Sequence, residues 1–362
     1  MKYRGFFGRA ALGVAALALI TTACTTTPPT TPSGDPSTPV ASTPVDDSPK
    51  VVDGKLQPLN DGWPNAPITL WCAYPAGHGN DLMNKVISEI ASEISPVRVN
   101  SDVYQTGPNG EYEIVDVLKK RPNGEDGNHL FAINWLALGL RPYTMEALKD
   151  AQLEDLDIVT AVVYTPFVFA VPKDAPWNTL EELAAWGREH PGEMRVVASG
   201  TGSGVHIAVM AWAAANDVEI RFIPTDGTGE SKTVMLGGGA DLAAFSYQLG
   251  AEDSFKLLAL TGSERLSIIP DVPTLEELGF NIPSGNLTGY GTVPGVPEAH
   301  KAWLLEMFKL SIADERFQSA YSETSDIRAW NPQDVRDYEV QQLKTVHPLL
   351  EELGLATRPL DR

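Results

Sequence analysis

Residues Arg195–Ser246, RVVASGTGSGVHIAVMAWAAANDVEIRFIPTDGTGESKTVMLGGGADLAAFS, constrain this chain more than any other stretch. An apolar strand runs into a Gly/Ser/Thr loop and then a helix, and a second strand repeats the arrangement. Such loops leave backbone N–H groups at helix N-termini, where the aligned peptide dipoles favour negative charge. The guest expected there is an anion.

The same alternation extends from Ala66 onwards. ITLWCAY precedes DLMNKVISEIASEIS, where Leu82, Val86, Ile90 and Ile94 recur at helical spacing. VRVNSDVY, HLFAIN, IVTAVVY, PFVFAVP, EMRVVAS, VEIRFIP, ADLAAFS and KLLALTG read as further strands. Thr179 with Glu182 and Thr274 with Glu277 form two capping boxes, each marking a helix start. The stretch Glu298–Leu355 reads as mostly helical, with a long helix near Gln333–Leu353. Strands alternating with helices imply parallel sheets with crossover helices, and 362 residues exceed one typical core, so an α/β chain of two domains is expected.

The N-terminal MKYRGFFGRAALGVAALALITTAC combines Lys2, Arg4 and Arg9 with an apolar run and small residues before Cys24, the pattern of an export signal over 1–23. Its end at a cysteine resembles the lipobox of bacterial lipoproteins, with Thr21 where Leu is usual, so Cys24 is the expected lipidation site. The Thr/Pro/Ser-rich residues that follow have little to bury, and 24–62 is assigned to a disordered tether. The resulting expectation is an extracytoplasmic domain held to the cell membrane by lipid.

The formal net charge of −20 argues against nucleic-acid binding, which needs clustered Lys and Arg. It does not exclude an anionic ligand, because charges beyond about 10 Å are largely screened and local N–H groups decide binding. With two cysteines, one of them Cys24, no disulfide framework is available, and Cys72 in ITLWCAYP reads as a buried inert thiol.

Enzymatic templates fail one by one. Ser199–His206 is not a dinucleotide fingerprint, because Val205 stands where a glycine is required, and not a hydrolase elbow, because Gly202 stands where the serine should be. Asp226–Thr233 ends in Ser-Lys-Thr, yet Ser231 occupies the glycine position of a phosphate loop. The six histidines are scattered and no cysteine cluster exists, so neither a metal nor a cofactor is expected. A Ser/His/Asp set from Ser203, His206 and Asp241 lacks productive spacing. Plain readings stand beside the binding ones: a βα turn with an ordinary cap for Tyr74–Asp81, a solvent-facing His78, a core-satisfying His206 and an exposed turn residue for Asp226.

Four stretches in order resemble the substrate-binding proteins of tripartite tricarboxylate transporters, the Bug-type receptors, from about Ile68 to Leu355. YPAGHGND is similar to the family's Y-P-x-G-G-x-x-D loop. TLEELAAWGREHPGEMRVVASGTGSGVH resembles its helix, Pro-Gly turn and G-x-G-S-x-x-H loop. IPTDGTGESKTVMLGGGAD resembles V-P-Y-x-G closing on G-G-x-x-D, and LALTGSERLSIIPDVPTLEELGF resembles the T-G-x-x-R through L-P-D-V-P-T run.

The resemblance implies a clamshell of the periplasmic binding protein type II class, each domain a mainly parallel sheet flanked by helices. Domain I would comprise 63–166 and 288–362, and domain II 167–287, with crossings near Tyr164–Ala170 and Asn286–Thr292. It also implies a non-catalytic receptor for a small carboxylate, delivering it to the permease subunits of a secondary transporter and acting as a monomer.

Carried over by motif, the ligand contacts are Tyr74, Gly77, His78, Gly79, Asn80 and Asp81 on the first loop. Gly200, Thr201, Gly202, Ser203 and His206 follow on the second, with Asn134, Gly227, Thr228 and Asp241 completing the set. His78 replaces the second glycine of the usual pair, Asn80 stands where Thr or Ser is common, and Thr225-Asp226 replaces a frequent Tyr-Lys. A carboxylate at Asp226 facing the cleft would favour an amino acid or monocarboxylate over a dianion. A surface sensor or interaction lipoprotein on the same scaffold, and an anchored hydrolase, are the alternative functions.

Overall fold

The computed structural model describes residues 47–360 apart from 75, 105–110, 121–125, 152–155, 263, 281, 283–284 and 353. The export signal, Cys24 and most of the expected tether lie outside the described residues.

The described chain opens with a hairpin of β1 (Val51–Val52) and β2 (Lys55–Leu56), turned at Asp53-Gly54 with φ of 50° and 75°. An Asp-Gly pair tolerates these left-handed angles, which match the twist of paired strands. Leu56, Leu59 and Trp63 are then buried, and the Trp303 indole donates to the Gln57 carbonyl at 2.8 Å. The last part of the expected tether therefore belongs to the folded body. Leu56 and Leu59 are too few to register as a periodic pattern, but each finds apolar partners far along the chain.

Strand β3 (Ile68–Cys72) leads into α1 (Gly79–Ile94), and β4 (Val99–Val103) returns parallel to β3. Helix α2 (Glu111–Lys119) precedes β5 (His129–Asn134), which pairs parallel on the other side of β3. Along β5, Leu130 and Ala132 face a core with α1, while Phe131 and Ile133 face a second core with α2. Burial on both faces is what a near-continuous apolar strand requires.

Helix α3 (Trp135–Thr144) follows at once, and then β6 (Asp157–Pro172). The sequence suggests two strands here, broken near Pro166. The structure has one strand of 16 residues that changes partners there. Asp157–Pro166 pairs with β11 (Gly285–Thr292), Phe167–Ala170 with β9 (Leu242–Ser246), and Val168–Pro172 with β10 (Phe255–Leu260). A proline has no N–H to give, so it is tolerated where one ladder ends and the next begins.

Beyond the switch, α4 (Leu180–Glu189), β7 (Met194–Ser199), α5 (Gly204–Ala215), β8 (Ile220–Thr225), α6 (Thr228–Leu236) and α7 (Ala251–Ser254) build the second half. β7 lies between β8 and β9, parallel to both. Phe167 and Phe169 of β6 face one core and Val168 and Ala170 the other, the same two-sided burial.

The Thr179 cap forms, its hydroxyl accepting from Glu182 N–H at 3.1 Å. The Thr274 box also forms reciprocally, at 3.0 and 2.8 Å, but no helix grows from it. Gly279, with φ of 87°, closes the segment after a single turn. The C-terminal part contains α8 (Glu298–Ala313), α9 (Glu315–Tyr321), β12 (Asp326–Trp330) and α10 (Pro332–Glu352). β12 pairs antiparallel with β6 and is absent from the sequence reading.

Candidate functional site

The first and second loops stand at the carboxyl ends of β3 and β7, each opening a helix. In open α/β sheets this is where ligands bind.

At the first loop, His78 is the N-cap of α1, and its Nδ1 accepts from Asn80 N–H at 3.2 Å. The His78 ring stacks on Tyr74, with centroids 4.2 Å apart. Asp81 is buried and accepts from Gly77 N–H and from Lys85 Nζ, both at 2.7 Å. Burial alone pushes its carboxyl up, but the Gly77 amide and the Lys85 ammonium outweigh it and hold the group below the usual carboxylate range. Asp81 is thus neutralised inside the loop. Asn80 is buried too, and its Nδ2 has no hydrogen-bond partner. An orphaned donor in this position costs free energy until an acceptor arrives.

At the second loop, Gly200 and Gly202 take φ of 51° and 79°. Ser203 is the N-cap of α5. Its hydroxyl accepts from His206 N–H at 3.2 Å and donates to the Ser199 carbonyl. Gly202 N–H donates to His206 Nδ1 at 3.0 Å, and Gly200 N–H to the Thr225 carbonyl at 2.9 Å. Burial brings His206 down to about 4, so the ring is neutral at physiological pH and its proton sits on Nε2. Much of this loop's donor capacity holds the loop itself.

The third loop carries Gly227 as N-cap of α6 and Thr228 as its first residue. Thr225 Oγ1 meets Ser231 Oγ at 2.6 Å, tying the loop to its helix. Asp226 is exposed, and its N–H donates to Glu230 at 2.7 Å. Asn134, at the end of β5, donates to the Asn286 side chain on β11.

Asp241 stands apart from the other expected contacts. Its carboxylate accepts from Arg195 N–H, Nε and Nη2, at 2.9, 3.1 and 2.7 Å. Asp241 precedes β9 and Arg195 lies at the start of β7, so this pair closes the amino ends of the strands, opposite the loops. A carboxylate saturated by one guanidinium serves the sheet, not a guest.

Helix α3 joins the first two loops. Arg141 Nη2 donates to the Tyr74 hydroxyl at 2.9 Å. One turn on, Thr144 lies against Gly202, whose Cβ, were there one, would stand 3.0 Å from Thr144 Oγ1. Neither residue figures among the expected contacts, although Arg141 is the only charged residue in WLALGLRPYT. A lone arginine in so apolar a helix signals a polar partner.

A cavity of about 690 Å³ lies elsewhere, lined by Tyr164, Arg265, Arg328, Trp330 and Tyr338 among others, and it includes none of the expected contacts. The loops are the better candidate despite that volume, because they carry the helix N-termini and the orphaned Asn80 donor. Among the described residues there is no group of three or more His, Cys, Asp or Glu able to hold a metal.

A family model described as the tripartite tricarboxylate transporter family receptor matches residues 124–355, well over half the chain. The chain belongs to this family. As one of its receptors, it is an extracytoplasmic solute-binding protein and not an enzyme. A UPF0065 protein from the gbd 5' region of Cupriavidus necator is 28% identical over 311 residues, covering 82% of this chain and 90% of the relative.

Solved structures agree on the fold. A TctC solute-binding protein from Polaromonas, without ligand, gives a TM-score of 0.65 at 23% identity, over 80% of this chain and 99% of that one. Rpa4515 of R. palustris with adipate gives 0.70 at 18% identity, over 81% and 99%. The fold is the type II periplasmic-binding-protein clamshell, with β6 running through both halves.

Proposed function

We propose that this receptor captures a small carboxylate between the loops at β3 and β7 and hands it to the permease subunits of a tripartite tricarboxylate-type transporter. The observation that carries the reading is the pairing of two helix N-termini, α1 and α5, through α3, with the buried Asn80 Nδ2 left without an acceptor. Within α1 the N–H groups of Gly79 and Asp81 have no intrahelical acceptor, and within α5 the same holds for Gly204 and Val205. Charge-assisted hydrogen bonds from such groups are roughly twice as strong as neutral ones. The adipate bound by Rpa4515 supports the ligand class by analogy.

The two lobes assigned are 63–166 with 288–362, and 167–287. The change of partners along β6 at Pro166 supports this division. Closure of one lobe on the other would bring both sets of donors onto one ligand. A monomer suffices for this task. The lipid anchor at Cys24 would keep the receptor beside its permease.

An amino acid is the second ligand class, favoured by the exposed Asp226 and Glu230 at the head of α6. Calorimetric titration of the purified protein and of Asn80→Leu with succinate, malate and adipate tests the site. Binding by the native protein that Asn80→Leu abolishes, with no turnover of the acid, supports the receptor. Unchanged binding by the variant would move the site elsewhere. Membrane fractionation of Cys24→Ser tests the anchor, which predicts release into the soluble fraction.

A further inference from the structure

The cavity of about 690 Å³ stands apart from the binding loops, and its walls come from two different parts of the fold. One wall is β12, which pairs with β6 before Pro166, together with Tyr338 of α10. The other is the segment that follows β10, the partner of β6 beyond Pro166. Tyr164 and Pro166, at the change of partners along β6, line it as well.

Its inner surface is aromatic and apolar. Trp330 and Tyr338 meet nearly at a right angle, with ring centroids 5.8 Å apart and planes at 76°, and Tyr164 and the buried Leu275 add to them. The Arg328 guanidinium lies 4.0 Å from the Trp330 ring centroid, so that ring already takes a cation on its face. Cavities of roughly 300–1,000 Å³ with such a base, set between two parts of a fold, are where small organic molecules bind.

Charge narrows the class. Arg265 donates through Nε to both Glu277 carboxylate oxygens at 3.0 and 2.8 Å, and through Nη1 to the Pro270 carbonyl at 2.8 Å. Arg328 faces Asp326 at 3.7 Å. Each lining guanidinium therefore has a carboxylate of its own. Glu264 and Glu276, exposed on the same wall as Arg265, have no ion-pair partner among the described residues. Two unbalanced carboxylates beside aromatic rings disfavour an anion and favour a cation that carries an apolar body.

We propose that this cavity is a second ligand site, for an aromatic or alkyl amine, and that its occupant adjusts the receptor's grip on its carboxylate. The ammonium pairs with Glu264 and Glu276, and the apolar body lies against Trp330, Tyr338 and Leu275. The walls belong to the two lobes assigned above, so a molecule touching both favours one arrangement of the lobes and changes the affinity for a ligand held between them. The site goes beyond the receptor reading, and only its regulatory role rests on that reading.

Titration calorimetry with phenethylamine and tryptamine, each beside the matching acid, 3-phenylpropionate or indole-3-propionate, tests the site. One equivalent of amine is expected to bind the native protein, with the acids weaker by about tenfold or more. The Glu264→Gln/Glu276→Gln double variant should weaken the amines by about fivefold or more. Ser267→Trp, which sets a large ring into the cavity, should abolish their binding, and Asn80→Leu should leave it unchanged. Glu264, Glu276 and Ser267 are all exposed, so the ligand-free melting temperatures of the cavity variants should agree with the native one. A saturating amine should shift the Kd for whichever of succinate, malate and adipate binds by about threefold or more, and that acid should shift the amine's Kd by the same factor.

No amine binding by the native protein, equal binding of amines and acids, or an amine affinity that neither cavity variant lowers would overturn the site. Amine binding lost in Asn80→Leu would move it to the loops and overturn it equally. Amine binding with no shift in the carboxylate Kd would overturn the regulatory role. Failure of the native protein to bind any of the three carboxylates would sink the carboxylate reading and the regulatory role with it, while the cavity site is still decided by its own variants.

Discussion

The Gly202 N–H donates to His206 Nδ1 across one turn of chain, at 3.0 Å. This single bond makes the second loop dependent on a neutral imidazole, because a protonated ring has no acceptor to offer. Burial brings His206 from its ordinary 6.5 down to about 4, so between these values the unfolded chain binds a proton that the folded chain refuses. Stability from this residue is complete above pH 6.5 and is lost as pH falls toward 4, by roughly 3 kcal/mol in all. His206→Asn keeps an acceptor and does not titrate, so urea melts of the variant should lack this acid-side loss.

Glu339 gives the opposite slope. It lies on α10 fully buried, facing Gly139 of α3, with Oε1 unpartnered, and burial pushes it up from 4.5 to about 8. The folded protein retains a proton that the unfolded chain releases. Stability is greatest below pH 4.5 and declines as pH rises to 8, by about 5 kcal/mol as an order of magnitude. Between pH 6.5 and 8 only this one of the two groups acts. Glu339→Gln should flatten stability there, as read by melting temperature against pH.

A buried pair holds the helix that carries the first loop. Tyr290 on β11 donates its hydroxyl to Asn84 Oδ1 at 2.8 Å, and Asn84 Nδ2 donates to the Leu70 carbonyl at 3.1 Å. Both side chains are fully buried. Tyr290→Phe strands the Asn84 oxygen and should cost about 1–3 kcal/mol in chemical denaturation.

Close approach of β11 to β6 sets a steric limit. A Cβ at Gly289 would lie 2.1 Å from the Thr160 carbonyl oxygen and 2.4 Å from Ala161 Cα, both backbone atoms that cannot turn aside. Gly289→Ala should lose more than about 3 kcal/mol or fail to fold. Gly229, on α6 with nothing within 4 Å, is the control, and its alanine variant should melt no lower than the native protein.

The legible parts of this fold were those where one segment decides its own state. The β3–α1 unit and the strand at Arg195 carry local periodicity, and both form where their patterns put them. Strand β12 was not legible, because DIRAW has too few apolar residues to alternate and exists as a strand only by pairing with β6. The continuity of β6 through Pro166 was hidden for the complementary reason: proline breaks a ladder locally, and only the exchange of partners makes it harmless.

The candidate site divides in the same way. Ser203 is a cap by its place before a helix, a local matter, whereas the sequence reading leaves His78 as a solvent-facing loop residue and the structure makes it the cap of α1. Asp241 reads as a cleft carboxylate until Arg195, 46 residues earlier in the chain, saturates it. Arg141 was missed because its relation to Tyr74 spans 67 residues and depends on how α3 crosses the sheet.

The most direct test is a thermal-shift panel on the purified receptor with mono-, di- and tricarboxylates, amino acids and cationic solutes. A ligand that binds only the folded state raises the melting temperature in proportion to RT ln(1 + [L]/Kd), about 2.7 kcal/mol at a hundredfold excess over Kd. Stabilisation by one or more carboxylates, absent from their amides and diminished in Asn80→Leu, is the predicted result. Stabilisation by cationic solutes alone, with every carboxylate inert, would contradict it.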